Sequence, residues 1–336
     1  PPTPQGPPMT LDPTEPLSLF FELCAGTAAL SLRLHGGKHA RPPVSRMGNK
    51  QGYASAILRT LGLRSGSGAA RYLWCEPDDG CRLLLTCYTD ADLRSKAAEI
   101  IRGWKDEDPR ALWERLRAEG PVKSPPVDPR EVARWCYVQR SANSGLPLRE
   151  VAGVWAPWWP AGQKMIRRGR VGPEDGKYQV TDQGMVDRLS TLPTLPASIF
   201  PDARDIDPPQ LPPGSVVYID PPYVGTTGYA HDLGRGAVCE LAERWASAGA
   251  WVVISEAEPL AELDGWHQVE ITGERVGQKR TFSKQQREYL TMSRPPLWRP
   301  AVQSKLWSFC PPPAVPSHPP SPLGAVALHR LPKVSP

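Results

Sequence analysis

At 336 residues, 40% hydrophobic and 22% charged, the chain is long enough for one large domain or for a domain carrying an insertion. A net charge of +5 is compatible with a polyanionic partner without demanding one, and no apolar run approaches the ~18 residues of a membrane span. Seven scattered cysteines, with no Cys-x-x-Cys pair and no zinc-type histidine spacing, point to a reducing cytoplasm and to no metal site.

Residues 1–16 hold seven prolines and little to bury, so a disordered leader is expected. The first strand is predicted over Leu17 to Cys24. It runs into Ala25-Gly-Thr-Ala-Ala-Leu-Ser-Leu-Arg-Leu34 and then Gly36-Gly37, the order of a first βα unit. Small residues at Ala25, Gly26 and Ala28 let a ligand lie against the backbone at the helix start. Glu22 is polar within an apolar strand, which suggests that a ligand, not packing, sets its position. Gly48 and Asn49 make a turn ahead of helical spacing at Tyr53, Ala56, Ile57 and Leu61, and this turn carries Lys50. Tyr72-Leu-Trp-Cys-Glu76 predicts a second strand with an acid at its tip, whereas Asp78 and Asp79 read as acids of a loop or helix start.

From about Ser95 the pattern becomes helical. Asp108-Pro109 and Asp128-Pro-Arg-Glu131 each place a capping aspartate before a first-turn proline, and the second helix sets Val132, Trp135, Cys136 and Gln139 on one face. That helix leads into Tyr137-Val-Gln-Arg-Ser-Ala-Asn-Ser-Gly-Leu146, which contains Arg140 and Asn143. Trp155, Trp158 and Trp159 then stand beside Lys164, Arg167, Arg168 and Arg170. Aromatics next to a tight basic run suit a DNA-backbone contact, and a Trp-rich mini-core with a solvated basic loop is the other reading.

Ser198 to Arg204 returns to the sheet with Asp202 near its tip, and Asp205 and Asp207 are rivals for the same role. The stretch that organises the chain is Ser215-Val-Val-Tyr-Ile-Asp-Pro-Pro-Tyr223: a β-branched and aromatic run predicts a buried strand, and two prolines end it at Asp220. Open α/β sheets place ligands at the carboxyl ends of their strands. The Asp220 carboxylate, the Pro221 carbonyl and the Tyr223 ring, stiffened by Pro221 and Pro222, offer two acceptors and a π-face with no strong nucleophile. That set fits a planar ring bearing an exocyclic amino group. Beyond it come Gly228-Tyr-Ala-His231 and a helix with Val238, Leu241 and Trp245 on one face. A strand over Ala250 to Ser255 ends at Glu256, and a closing strand pair spans Gln268 to Ile271 and Glu288 to Ser293. The connector between these strands carries Arg275, Lys279, Arg280, Lys284 and Arg287, as a phosphate clamp or a soluble hairpin tip. The Pro-rich tail from Pro295 to Pro336 reads as a solvated extension or a polyproline ligand.

Asp-Pro-Pro-Tyr after a strand resembles the catalytic motif of the Dam-like N6-adenine-specific DNA methyltransferases. Phe21 to Ala29 is similar to the S-adenosylmethionine turn of that family, and Arg46 to Leu58 to its Gly-x-Lys-x-x-Leu segment, here placed after the turn instead of before it. Tyr137 to Leu146 is similar to its Tyr-x-x-Asn-Arg-x-x-Phe-Asn-Gly-Leu stretch. The resemblance spans residues 17–294. It implies an α/β, Rossmann-like S-adenosylmethionine-dependent methyltransferase sheet, mostly parallel, formed by residues 17–94 and 195–294. A helical and basic insert for target recognition would occupy 95–194, between disordered ends at 1–16 and 295–336.

The resemblance further implies methyl transfer from S-adenosylmethionine to the N6 amino group of a flipped-out adenine in double-stranded DNA. Asp220, Pro221, Pro222 and Tyr223 would be catalytic. Glu22, Cys24, Ala25, Gly26, Lys50, Glu76 and Asp202 would bind the cofactor, Glu76 through the ribose and Asp202 through the adenine amino group. Arg140, Asn143, Lys164, Arg167, Arg168, Tyr229, His231, Lys279 and Arg280 would face DNA. No metal is implied; a cognate restriction nuclease is a second candidate partner, and the expected setting is a bacterial or phage-infected cytoplasm. Two alternatives stay open: an RNA or nucleotide adenine methyltransferase, and a DNA-binding protein of the same fold that has lost turnover.

Overall fold

A computed structural model describes residues 17–44, 48–121, 127–140, 149–151, 154–156, 182–223, 233–271 and 288–297. Its centre is a seven-stranded sheet formed by β1 (Leu17–Leu23), β2 (Ala69–Cys75), β5 (Ala197–Phe200), β6 (Ser215–Ile219), β7 (Trp251–Glu256), β8 (His267–Ile271) and β9 (Glu288–Met292). The order across the sheet is β5-β2-β1-β6-β7-β9-β8. The first five of these are parallel to their neighbours, and β9 runs antiparallel between β7 and β8. This is the mostly parallel Rossmann-like sheet expected from the sequence. Its two halves diverge between β1 and β6, the switch point at which such sheets bind ligands. A separate antiparallel pair, β3 (Arg149–Val151) and β4 (Val154–Ala156), lies outside that sheet.

The central strands are mostly apolar because helices cover both of their faces. Every residue of β6 and of β7 is buried. Alternation along the strands divides the core in two. Phe20, Tyr72, Trp74, Val216, Tyr218, Trp251 and Val253 point into one layer. Phe21, Leu23, Val217, Ile219, Val252 and Ile254 point into the other. The first layer is covered by α1 (Ala29–Gly36), α2 (Ala54–Thr60), α3 (Asp79–Thr89), α4 (Ala91–Gly103), α5 (Pro109–Ala118), α6 (Pro129–Arg140) and α7 (Asp182–Thr191). The second is covered by α8 (Arg235–Ser247), through Val238, Leu241, Ala242 and Trp245. The outer strand β8 exposes His267, Gln268 and Glu270, polar groups that discourage pairing with a further strand.

The helices between 95 and 194 are part of this core. The boundary placed at residue 94 falls inside α4, and Ile101, Leu112, Trp113, Trp135, Val186 and Leu189 share one apolar cluster with strand residues Phe20 and Tyr72. The Arg94 guanidinium ties the two ends of the excursion together, donating to the Leu192 carbonyl at 3.0 Å and to Thr194 Oγ1 at 2.9 Å. Chain that leaves and returns at one place is an insertion in sequence, yet here it forms a layer of the host. Asp108 caps α5 through the N–H groups of Arg110 and Ala111, as its sequence predicts.

The helix α6 departs from the one-faced pattern expected of it: Val132 through Gln139 are all buried, Arg134 included. Burial of that guanidinium is balanced by the Glu131 carboxylate at 2.5 Å and the Gly120 carbonyl at 2.7 Å. The helix approaches α3 so closely that a methyl group on Gly80 would sit 1.8 Å from Trp135 Nε1. A glycine is therefore needed at Gly80 for contact and not for turn geometry. Gly80→Ala is expected to destabilise the protein by about 2 kcal/mol or more through overpacking, read as a lower urea midpoint with unchanged slope.

Candidate active site at the carboxyl edge of the sheet

The tips of four adjacent strands, β5, β2, β1 and β6, are laced together by backbone hydrogen bonds at the carboxyl edge. The Asp220 N–H donates to the Leu23 carbonyl at 3.2 Å, the Ala25 N–H to Cys75 at 2.9 Å and the Glu76 N–H to Phe200 at 3.0 Å. The turn from Cys24 to Ala28 holds Cys24, Gly26 and Ala28 at positive φ, of 64°, 53° and 46°. Two of these are not glycine, so left-handed backbone is imposed there at roughly 1–2 kcal/mol per residue. Glu22 is what holds the turn. Its carboxylate accepts from the Leu30 N–H at 3.3 Å, the Ser31 N–H at 2.9 Å and the Ser31 hydroxyl, covering free donors in the first turn of α1. Within the chain, the start of α1 supplies the partners that set the position of Glu22. Burial pushes the Glu22 carboxyl up to about 7 against those hydrogen bonds.

Glu76 closes the turn from the second strand. Its Oε2 accepts from the Gly26 N–H at 2.6 Å and its Oε1 from the Asp78 N–H at 3.0 Å, while Asp78 caps α3 through Cys81 N–H. Cys24 lies in this acidic surround; burial, then Glu76 and Asp220, push its thiol well above the ordinary range, so it is no nucleophile. Asp202, past the tip of β5, is held by Arg204, whose backbone N–H reaches Oδ1 at 2.8 Å and whose Nη2 reaches Oδ2 at 2.5 Å.

Across the switch point Lys50 is the centre of a second cluster. Its ammonium is buried, 2.6 Å from Asp220 Oδ1, 3.6 Å from Glu288 Oε1 and 4.5 Å from the centroid of the Tyr223 ring. Glu288 Oε1 also accepts from the Tyr223 hydroxyl at 2.5 Å and from the Ser255 hydroxyl. Glu256, at the end of β7, is buried beside them. Desolvation raises the Asp220 carboxyl to about 7 and that of Glu256 to about 7, and Lys50 opposes both shifts. Desolvation, followed by the charges of Asp220 and Glu288, lifts the Tyr223 phenol far above its ordinary value, so it serves only as a donor and a ring.

The structure therefore brings Asp220, Tyr223 and Lys50 into one cluster, and Gly26, Cys24 and Glu76 into an adjacent one. Lys50 reaches the cluster from the 3-10 turn Lys50–Gly52, which follows the β1 unit, despite its late place in the chain order. Its partner is Asp220. Pro221 is buried and Pro222 half-buried beside it. Arg140 ends α6 with its guanidinium 5.0 Å from the Tyr137 ring centroid. Asn143, Lys164, Arg167, Arg168, Tyr229, His231, Lys279 and Arg280 lie outside the described residues. Sequence reasoning missed Glu288. The one available signal was an acid opening an otherwise apolar strand, and the basic connector before it gave that acid an ordinary surface explanation.

These residues suit a nucleoside-bearing cofactor in part. Nothing lies within 4 Å of a side chain built on Gly26, so space is open over the turn. Beside that space stands the Glu76 carboxylate, an acceptor for the Gly26 and Asp78 N–H groups. Glu22 faces the start of α1.

Lys50 neutralises buried acids, and its loss would leave them unpaired. Lys50→Met is expected to cost about 3–5 kcal/mol in urea unfolding at pH 8, and adding Glu288→Gln to recover part of that loss, because one of the stranded charges is then gone. If the double variant were no more stable than Lys50→Met, the ion cluster would not be the coupled unit described.

No family model matches the chain, and no curated protein matches it. Among solved structures it is similar to the rRNA methyltransferase aviRa from Streptomyces viridochromogenes, with 13% identity, coverage of 83% of this chain and 77% of that one, and a TM-score of 0.30. At that score the likeness says nothing of the reaction this chain performs.

Proposed function

We propose that this chain transfers a methyl group from S-adenosylmethionine to the exocyclic amino nitrogen of an adenine in DNA, presented as a flipped-out base. The observation that carries the reading is an Asp220-Pro-Pro-Tyr223 corner at the carboxyl end of the central strand β6, hydrogen-bonded to β1 just ahead of the strained turn at Cys24 to Ala28. The Gly26 turn and Glu76 would hold the cofactor, which supplies an electrophilic methyl carbon when bound.

The chain's own part is positioning. Lys50 engages Asp220 Oδ1, leaving Oδ2 and the Pro221 carbonyl to accept the two amino hydrogens and to aim the nitrogen lone pair. The nitrogen gains a carbon and releases one proton, and a carboxyl held near 7 is matched to receiving it. Glu288 fixes the Tyr223 ring through its hydroxyl, and Lys50 covers one face of that ring, so a base would stack on the opposite face. Lys50 and Glu288 are buried and Asp220 and Tyr223 half-buried, which strengthens each of these contacts relative to water.

Incubation with unmethylated genomic DNA and radiolabelled S-adenosylmethionine is expected to label adenine, and Asp220→Ala to abolish the label. Labelling of RNA but not DNA of the same sequence would replace the substrate class. Failure of both labelling and cofactor binding would leave a nucleic-acid-binding protein of this fold. Because Asp220 must be ionised to accept the amino hydrogens, kcat/KM is expected to be low in acid and to rise with pH through about 7. A profile flat from pH 5 to 8 would count against that role.

A further inference from the structure

A cleft of about 680 Å³ lies away from the strand tips, where the ends of α1 and α2 face the segments that follow them. Five Lys and Arg side chains line it: Arg33, Lys38, Arg41, Arg59 and Arg64, with His39 beside them. No aspartate or glutamate lines it among the described residues. Lys38, Arg41, Arg59 and Arg64 are exposed, whereas Arg33 is buried at the base.

Composition does not require this arrangement. The chain has 40 Lys and Arg against 35 Asp and Glu, so acids are nearly as abundant as bases, and an acid-free cleft is a local choice. Helix dipoles account for part of it. The carboxyl ends of α1 and α2 point here, and each presents about half a negative charge, roughly one charge in all. The exposed cations Lys38, Arg41 and Arg64 by themselves exceed that offset and keep the concavity positive, a field that attracts a polyanion. The same two helices begin at the active site: α1 follows the turn at Cys24 to Ala28, and α2 follows Lys50. At ~1.5 Å per residue α1 is about 12 Å long, the length of three to four nucleotide steps.

We infer that this cleft binds the phosphate backbone of the DNA substrate a few nucleotides from the target base. This inference rests on the reading of the chain as a nucleic-acid methyltransferase and adds a contact surface outside the basic segments expected from the sequence. Phosphate contacts of this kind supply affinity and register but no sequence choice, so the cleft positions DNA while the strand tips perform chemistry.

The test compares two triple variants, each with three exposed cations removed. One is Lys38→Ala with Arg41→Ala and Arg64→Ala in the cleft. The other is Arg71→Ala with Arg102→Ala and Lys105→Ala elsewhere, which changes net charge equally. Binding of a fluorescent 20-base-pair duplex is followed by anisotropy across a salt series, and methyl transfer across a DNA concentration series. The cleft variant is expected to flatten the log K against log salt slope by about 2–3, to weaken binding about ten-fold at 0.1 M salt, and to raise KM for DNA with kcat held; the control should change little. Slopes and KM values that match between the two variants would overturn the inference while leaving the methyltransferase reading standing if both still label DNA. A flattened slope in a protein that never transfers methyl groups would do the reverse. A wild-type protein with no affinity for the duplex would end both.

Discussion

The structure depends on one buried cation. Lys50 stands between Asp220 and Glu288 with the Tyr223 ring beside it, and four carboxyl groups (Glu76, Asp220, Glu256 and Glu288) crowd the same edge of the sheet. Acids this close and this poorly solvated disfavour their charged forms, and one ammonium restores part of the balance. The fold accepts an unfavourable electrostatic arrangement here and compensates with an apolar core on each face. That division of labour, strain at the strand tips and packing beneath them, is what leaves a carboxyl poised near neutrality at the end of β6.

Geometry of the sheet explains how distant residues reach this cation. Parallel strands deliver their last residues to one edge, so Glu76, Asp220 and Glu256 arrive there from β2, β6 and β7. An antiparallel strand delivers its first residue to that edge instead, and β9 thereby contributes Glu288. Two acids from opposite chain directions can then share one hydroxyl-and-ammonium environment. On the far side of the switch point Glu22 does comparable work beneath the surface, holding the start of α1 so that the turn above it keeps its left-handed residues.

Much of this was legible in the sequence. Uninterrupted apolar runs ending at Asp220 and at Glu256 mark central parallel strands, and the Asp-Pro cap at Asp108 marks its helix, because these signals are local. The cofactor side was harder. Glu22 looks like a ligand residue in one dimension because nothing in the strand explains its charge, and only the tertiary placement of Ser31 supplies its partners. Where the 95–194 helices pack was likewise not legible, since amphipathic spacing says that a helix buries a face and not which core receives it. Glu288 and Lys50 are 238 residues apart as numbered, and no short-range pattern couples such a pair.

The antiparallel insertion of β9 has a consequence for the order in which the protein becomes competent. The switch point, its turn and Asp220 are all present once β6 and β7 are made, but the slot between β7 and β8 is filled only by the last strand of the sheet. Until β9 docks, Lys50 has one of its two carboxylates, the Tyr223 hydroxyl lacks its acceptor, and β7 presents an unpaired edge. A ribosome-bound chain that has emerged only as far as β8 therefore carries an incomplete centre. Assembly of the cluster around Lys50 is thereby tied to closure of the whole sheet.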